Sequence, residues 1–173
     1  LPWNAGTNNT VIRYNLSQND GDKIFHITGP CKNTQIYNNT IYVRPDHKLP
    51  LVLAGDWGGT WADETLFANN IFYSDGQTWF DLKGMTNIRF SNNLIYGDIL
   101  SVPADASNLT DNPQFTASGT GGTGIDSLTG YMLLPTSPGI AAGLALENNG
   151  GHDLFGNRLP QARQLDIGAI QSR

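Results

Sequence analysis

Four short segments of this chain repeat one another, and that repetition limits the fold more than any other feature. They read Ile12-Arg13-Tyr14-Asn15-Leu16, Ile36-Tyr37-Asn38-Asn39-Thr40-Ile41, Phe67-Ala68-Asn69-Asn70-Ile71-Phe72 and Phe90-Ser91-Asn92-Asn93-Leu94-Ile95. Alignment places Asn15, Asn39, Asn70 and Asn93 at one position, separated by 24, 31 and 23 residues. A period of this size belongs to stacked structural units rather than to a ball around one irregular core.

A second pattern keeps step with the first. Phe25-His26-Ile27-Thr28-Gly29, Leu51-Val52-Leu53-Ala54-Gly55 and Phe80-Asp81-Leu82-Lys83-Gly84 alternate apolar and other residues before a glycine. A period of two is the mark of a strand with one covered face. Together the two registers predict an all-β parallel β-helix of about four coils over residues 1–102. Residues 103–173 are expected to form a last coil and a turn-rich capping segment. The asparagine column is expected to bond from coil to coil at a bend and to take up the left-handed backbone there. Glycine is expected to do the same at the other bend.

Composition narrows the partners. Only 14% of the 173 residues are charged and 20 are glycine, which suits a turn-dense β protein. The net charge of −5, with no basic stripe, speaks against nucleic acid. No apolar run approaches the ~20 residues a spanning helix needs, so no membrane is expected. Cys31 stands alone and reads as a small buried hydrophobe. Asn8, Asn15, Asn38 and Asn108 head Asn-x-Ser/Thr triplets, but Asn15 and Asn38 lie in or beside the repeat column. The first repeat begins within the opening dozen residues with nothing before it that reads as a cap. An uncovered coil would offer bare strand edges to water. The expectation is the C-terminal part of a longer solenoid, whose open end packs on upstream coils or on another copy.

The repeat phrases from Val11 to Gly21 and from Ile36 to Tyr42 resemble coils of the right-handed parallel β-helix proteins of the pectate-lyase-like superfamily. The tail is similar to their usual ending, through Thr136-Ser137-Pro138-Gly139-Ile140, Asn149-Gly150-Gly151-His152-Asp153 and Leu165-Asp166-Ile167-Gly168-Ala169. Asp111-Asn112-Pro113-Gln114-Phe115 resembles a hinge seen there, with an asparagine inserted. The resemblance implies right-handed coiling, secretion and action on a polysaccharide or oligosaccharide. That group spans lyases, hydrolases, epimerases and shafts, so architecture selects no single chemistry.

In a stack of coils, chemistry falls to outward side chains and to loops that break the period. The outward columns read His26, Val52, Asp81 and Thr28, Ala54, Lys83. His26 and Asp81 would stand two strand spacings apart, about 9.6 Å, too far for a direct hydrogen bond but within the span of a sugar. The longest interruption, Asp56 to Glu64, carries Trp57 and Trp61 beside three carboxylates. Aromatic faces stack on sugars and carboxylates move protons, so Asp56 joins Asp81, His26 and Asp20 as a catalytic candidate. The alternative is that both indoles fold back over the coil edge. Trp57, Trp61, Lys83 and Arg44 are the candidate sugar-binding groups, Arg44 with Lys48 of the same insertion suiting a uronic carboxylate. Asp20 also fits ordinary Asp-Gly turn chemistry. No cofactor is expected. A calcium role for Asp153 and Asp166 is the weaker reading, since both suit turns and no Asp-x-Asp-x-Asp spacing is present.

Overall fold

The computed structural model describes residues 6–160 and 164–172. Residues 1–5, read above as providing no cap, lie outside them. The chain is a parallel β-solenoid of about three turns, fewer than the four anticipated: four stacked strands enclose three full circuits. The first face stacks β1 (Val11–Arg13), β4 (Lys32–Tyr37), β7 (Asp63–Ala68) and β9 (Arg89–Ser91). The second face begins with β2 (Leu16–Gln18) and β5 (Thr40–Val43), the third with β3 (Phe25–Thr28) and β6 (Lys48–Gly55). Two long strands serve both: β8 (Ile71–Asp81) and β10 (Leu94–Leu100). Ile71 to Ser74 pair with β5, while Gln77 to Asp81 pair with β6, so one hydrogen-bonded ribbon bends into two faces. Gly76 makes that bend possible, since a Cβ there would lie 2.3 Å from the His47 carbonyl oxygen.

The core is a set of columns running along the stack. Ile12, Ile36, Phe67 and Phe90 stand over one another on the first face, and the rings of Phe67 and Phe90 stack with centroids 4.6 Å apart. Ile41, Phe72 and Ile95 fill the second. Phe25, Val52 and Phe80 fill the third.

The third column corrects the expected register. Strict alternation would align Leu51 with Phe25 and Phe80 and turn Val52 outward. A bulge between Pro50 and Val52 instead lets Leu49, Leu51 and Val52 all be buried. Everything downstream shifts by one. The outward column is therefore His26, Leu53, Asp81, and Thr28 lies opposite Gly55 rather than Ala54. Burying a third aliphatic side chain outweighs keeping the pleat regular.

The asparagine column is as expected and one rung longer. The backbone N–H and side-chain amide of Asn15 both donate to Asn39 Oδ1, at 3.0 and 2.9 Å. Asn39 bonds Asn70 in the same way, Asn70 bonds Asn93, and Asn93 bonds Asn108. The left-handed backbone, however, belongs to the residue before each rung: Tyr14, Asn38, Asn69 and Asn92 all have φ near +50°. The preceding residue makes the reversal, which frees the rung to turn its amide into the stack.

The tail does more than finish the stack. Residues 103–109 add a partial rung, with Leu109 bridged to Leu94. The remainder runs back along the flank. Tyr131 and Ile170 pack on Tyr42, while Ile167 packs on Ile71 and Leu94, covering the outside of the second face. Asn38 donates to the carbonyls of Asp166 and Gly168, and Asn69 exchanges bonds with Leu144. The polar corner residues thus serve as the tail's docking strip.

Candidate functional site

With the second face covered by the tail, most outward residues of the third face are at least partly exposed. Two rows define it. One holds the exposed His26 and the partly exposed Leu53 and Asp81; the other holds the buried Pro50, the partly exposed Trp79 and Leu100. Trp79 and Asp81 are two residues apart on β8 and point the same way, about 7 Å from one another along the strand. Leu100 is half exposed, so an aliphatic neighbour extends the indole's apolar surface. This is an open platform rather than an enclosed cleft, a form suited to an extended chain.

Lys83 Nζ lies 2.7 Å from Asp81 Oδ2, so two residues named separately as candidates meet in an ion pair, with the Asp81 side chain 15% exposed. His26 is exposed at the margin, two coils from Asp81 with Leu53 between them. At ~9.6 Å by strand spacing, the two act on a ligand separately or not at all.

The 56–62 loop splits the two indoles. Trp57 is 70% exposed and has φ +48°, so its ring stands in solvent beside the end of the third face. Trp61 instead lies flat on Gly84: a Cβ at that glycine would be 2.3 Å from the indole ring. Trp57 therefore fits the sugar-binding reading, and Trp61 fits the alternative of a ring folded back over the coil edge. Asp56 is exposed and accepts a loop N–H from Gly58. From the register, its backbone stands on the order of 11 Å from that of Asp81, one coil over and three residues along.

Asp20 and Arg44 lie elsewhere. Asp20 accepts a short hydrogen bond from the Ser17 hydroxyl, 2.5 Å, in the turn that follows β2. Arg44 folds on its own loop, 2.7 Å from Asp46 and 2.8 Å from His47 Nδ1. The hydrogen bond from His47, backed by the Arg44 charge, holds the Asp46 carboxyl below its usual range. These contacts engage Arg44 Nε alone, and half of the side chain stays exposed with its terminal N–H groups turned to solvent.

Trp79 is the platform residue that the sequence reading passed over. Its signal was present: it stands two residues before Asp81, in phase with the outward column.

Among the described residues no group of three or more His, Cys, Asp or Glu gathers to hold a metal. Asp153 and Asp166 are buried and accept backbone N–H groups from their own turns and from distant parts of the tail. Asp153 accepts the N–H groups of Phe155, Asn157 and Gln171, and Asp166 those of Ala141 and Ser172. Among those residues no helix is long and apolar enough to cross a membrane.

No protein-family model matches the sequence. The chain is 25% identical to a lacto-N-biosidase of Bifidobacterium longum subsp. longum over 190 aligned positions, which take in 95% of this chain. The same match takes in 11% of that protein, so the chain spans about a tenth of the length of the curated relative it resembles.

Proposed function

We propose that this chain is a stretch of coils from a secreted, carbohydrate-acting β-solenoid protein, a glycoside hydrolase rather than a lyase. The observation that carries the reading is the likeness to a lacto-N-biosidase along nearly all of the chain. The sequence resemblance to pectate-lyase-like coils agrees with it. In this reading an oligosaccharide or polysaccharide lies across the third face, its rings stacked on Trp79 and Trp57. Asp81 and Lys83 hydrogen-bond its hydroxyls, and His26 meets it at the far margin. Stacking supplies affinity because the apolar face of a sugar ring matches an indole.

Hydrolysis requires two carboxyl groups about 5–10 Å apart. In this reading Asp81 takes one role, and Asp56, exposed on the loop after β6, takes the other. Further coils of a longer chain, or a second copy, stacked on the open end beside β1 to β3 would extend the same face. Asn15 at that end accepts no bond on its side-chain oxygen from any described group, which suits another rung.

A second reading is a binding platform without catalysis. It is favoured by the Asp81–Lys83 ion pair, which gives the carboxylate a structural partner. One experiment separates the two: the chain, and the longest natural chain containing it, are incubated with a panel of oligosaccharides. Cleavage lost in Asp81→Asn, with binding retained, supports hydrolysis. Binding without cleavage in both chains selects the platform, and no binding in either rejects the carbohydrate reading.

A further inference from the structure

The outside of the first face carries a groove that the reading above does not use. Its floor is the outward column Gln35, Leu66, Arg89, one residue per coil. Beside it runs a second column, Asn33, Glu64, Asn87, also one per coil, with φ between +51° and +56° at all three. The floor is concave because residues around Pro103 and Asp105, and Leu144 and Leu146 of the tail, rise along one side. Two adjoining hollows share Leu66, Ile88 and Arg89, so the depression continues along the stack axis.

Its chemistry is mixed in a way that narrows the occupant. Arg89 is exposed and has no carboxylate within ion-pair distance among the described residues. Gln35 has no described hydrogen-bond partner for its side chain, although its backbone N–H donates to the Thr10 carbonyl. Among the described residues Glu64 forms one ion pair, with Lys32 at 3.8 Å. Donors and acceptors of both charge signs thus face one trough without neutralising one another. A polyanion would meet Glu64 and Asp105, and a polycation would meet Arg89. An uncharged chain rich in hydroxyls, each able to donate and accept, satisfies all of them, while Leu66 and Ile88 offer apolar contact to C–H faces.

We infer that the first face is a second glycan site, for a neutral oligosaccharide lying along the solenoid axis and separate from the third-face platform. Such a site holds a polymer without reacting with it and raises its concentration at the other face. The inference does not depend on the third face being catalytic.

The test is titration calorimetry of the chain with neutral oligosaccharides of glucose, galactose and N-acetylglucosamine, and with oligogalacturonate as the charged comparison. Arg89→Ala and Gln35→Ala are compared with Trp79→Ala. Arg89 and Gln35 hold no described side-chain bonds, so both variants keep the wild-type melting temperature. The expected result is binding of a neutral oligosaccharide weakened about tenfold or more in Arg89→Ala, and less in Gln35→Ala. Trp79→Ala leaves that component intact. Binding that Arg89→Ala leaves unchanged, no neutral binding at millimolar ligand, or tighter binding of oligogalacturonate would each overturn it. Loss in Trp79→Ala alone would leave only the third face standing.

Discussion

At the scale of single residues, the asparagine ladder concentrates stability in a few side chains. Asn70 is buried, accepts two bonds from Asn39, and donates to Asn93 and to the Ile36 carbonyl. Asn70→Ala would strand the Asn39 N–H in a dry corner. The expected loss is about 3 kcal/mol or more in chemical denaturation. Asn15, exposed at the end of the same ladder, gives the internal comparison, with Asn15→Ala costing under about 1 kcal/mol. Equal losses at the two rungs would contradict a ladder whose strength comes from burial. Gly84 tests the Trp61 assignment. A methyl group there meets the indole and faces a φ of +66°, so Gly84→Ala should push Trp61 into water. A red-shifted tryptophan emission and a lower melting temperature are expected, and an unchanged spectrum would place the ring elsewhere.

At the scale of elements, the tail and the second face form one unit through aromatic contact. Tyr42 meets Tyr73 and Tyr131, and Phe115 lies between Tyr73 and Tyr131. Burial pushes the Tyr131 phenol up to about 12, and burial with the neighbouring Asp75 raises Tyr42 and Tyr73. These phenols keep their protons in the folded state at a pH where the unfolded chain, at ~10, has lost them. Their contribution is complete below pH ~10 and falls as pH rises toward that of the folded groups. The expected outcome is a melting temperature that declines above pH ~10 together with the appearance of tyrosinate absorbance. A flat profile through that range would refute the buried cluster. Ile167, fully buried against Ile71 and Leu94, measures the apolar half of the contact. Ile167→Ala should cost about 2–4 kcal/mol, a loss that an undocked tail could not produce.

At the scale of the whole molecule, three faces have three fates. The second is covered by the chain's own tail, the third presents Trp79, Asp81 and Lys83, and the first carries the groove around Arg89. Retention on a polysaccharide gel should fall at least tenfold in Trp79→Ala and in Trp57→Ala, as expected when a stacking ring is removed. Trp61→Ala should instead lower stability with little change in retention of the folded fraction. The reverse ranking of Trp57 and Trp61 would mean the loop turns its other ring to the ligand. The fold was legible in the repeat because stacked coils force equivalent residues to recur. The site was legible in part. Asp81 and Lys83, named from separate outward columns, stand 2.7 Å apart, Arg44 lies on its own loop beside Asp46, and Trp79 and the first-face groove were not anticipated.

The residues by themselves determined the stacking: asparagines at 24, 31 and 23 residues and inward apolar pairs can satisfy their bonds and burial only one coil above another. They could not determine which neighbour each outward side chain receives. A single bulge at Leu51 moved Leu53 into the His26–Asp81 column, because burying one more aliphatic group outweighs regular pairing. Nor could they determine which face stays open, since the tail reaches the second face across more than 120 residues of chain. That choice rests on shape and contact between distant segments, which exist only once the coils have formed.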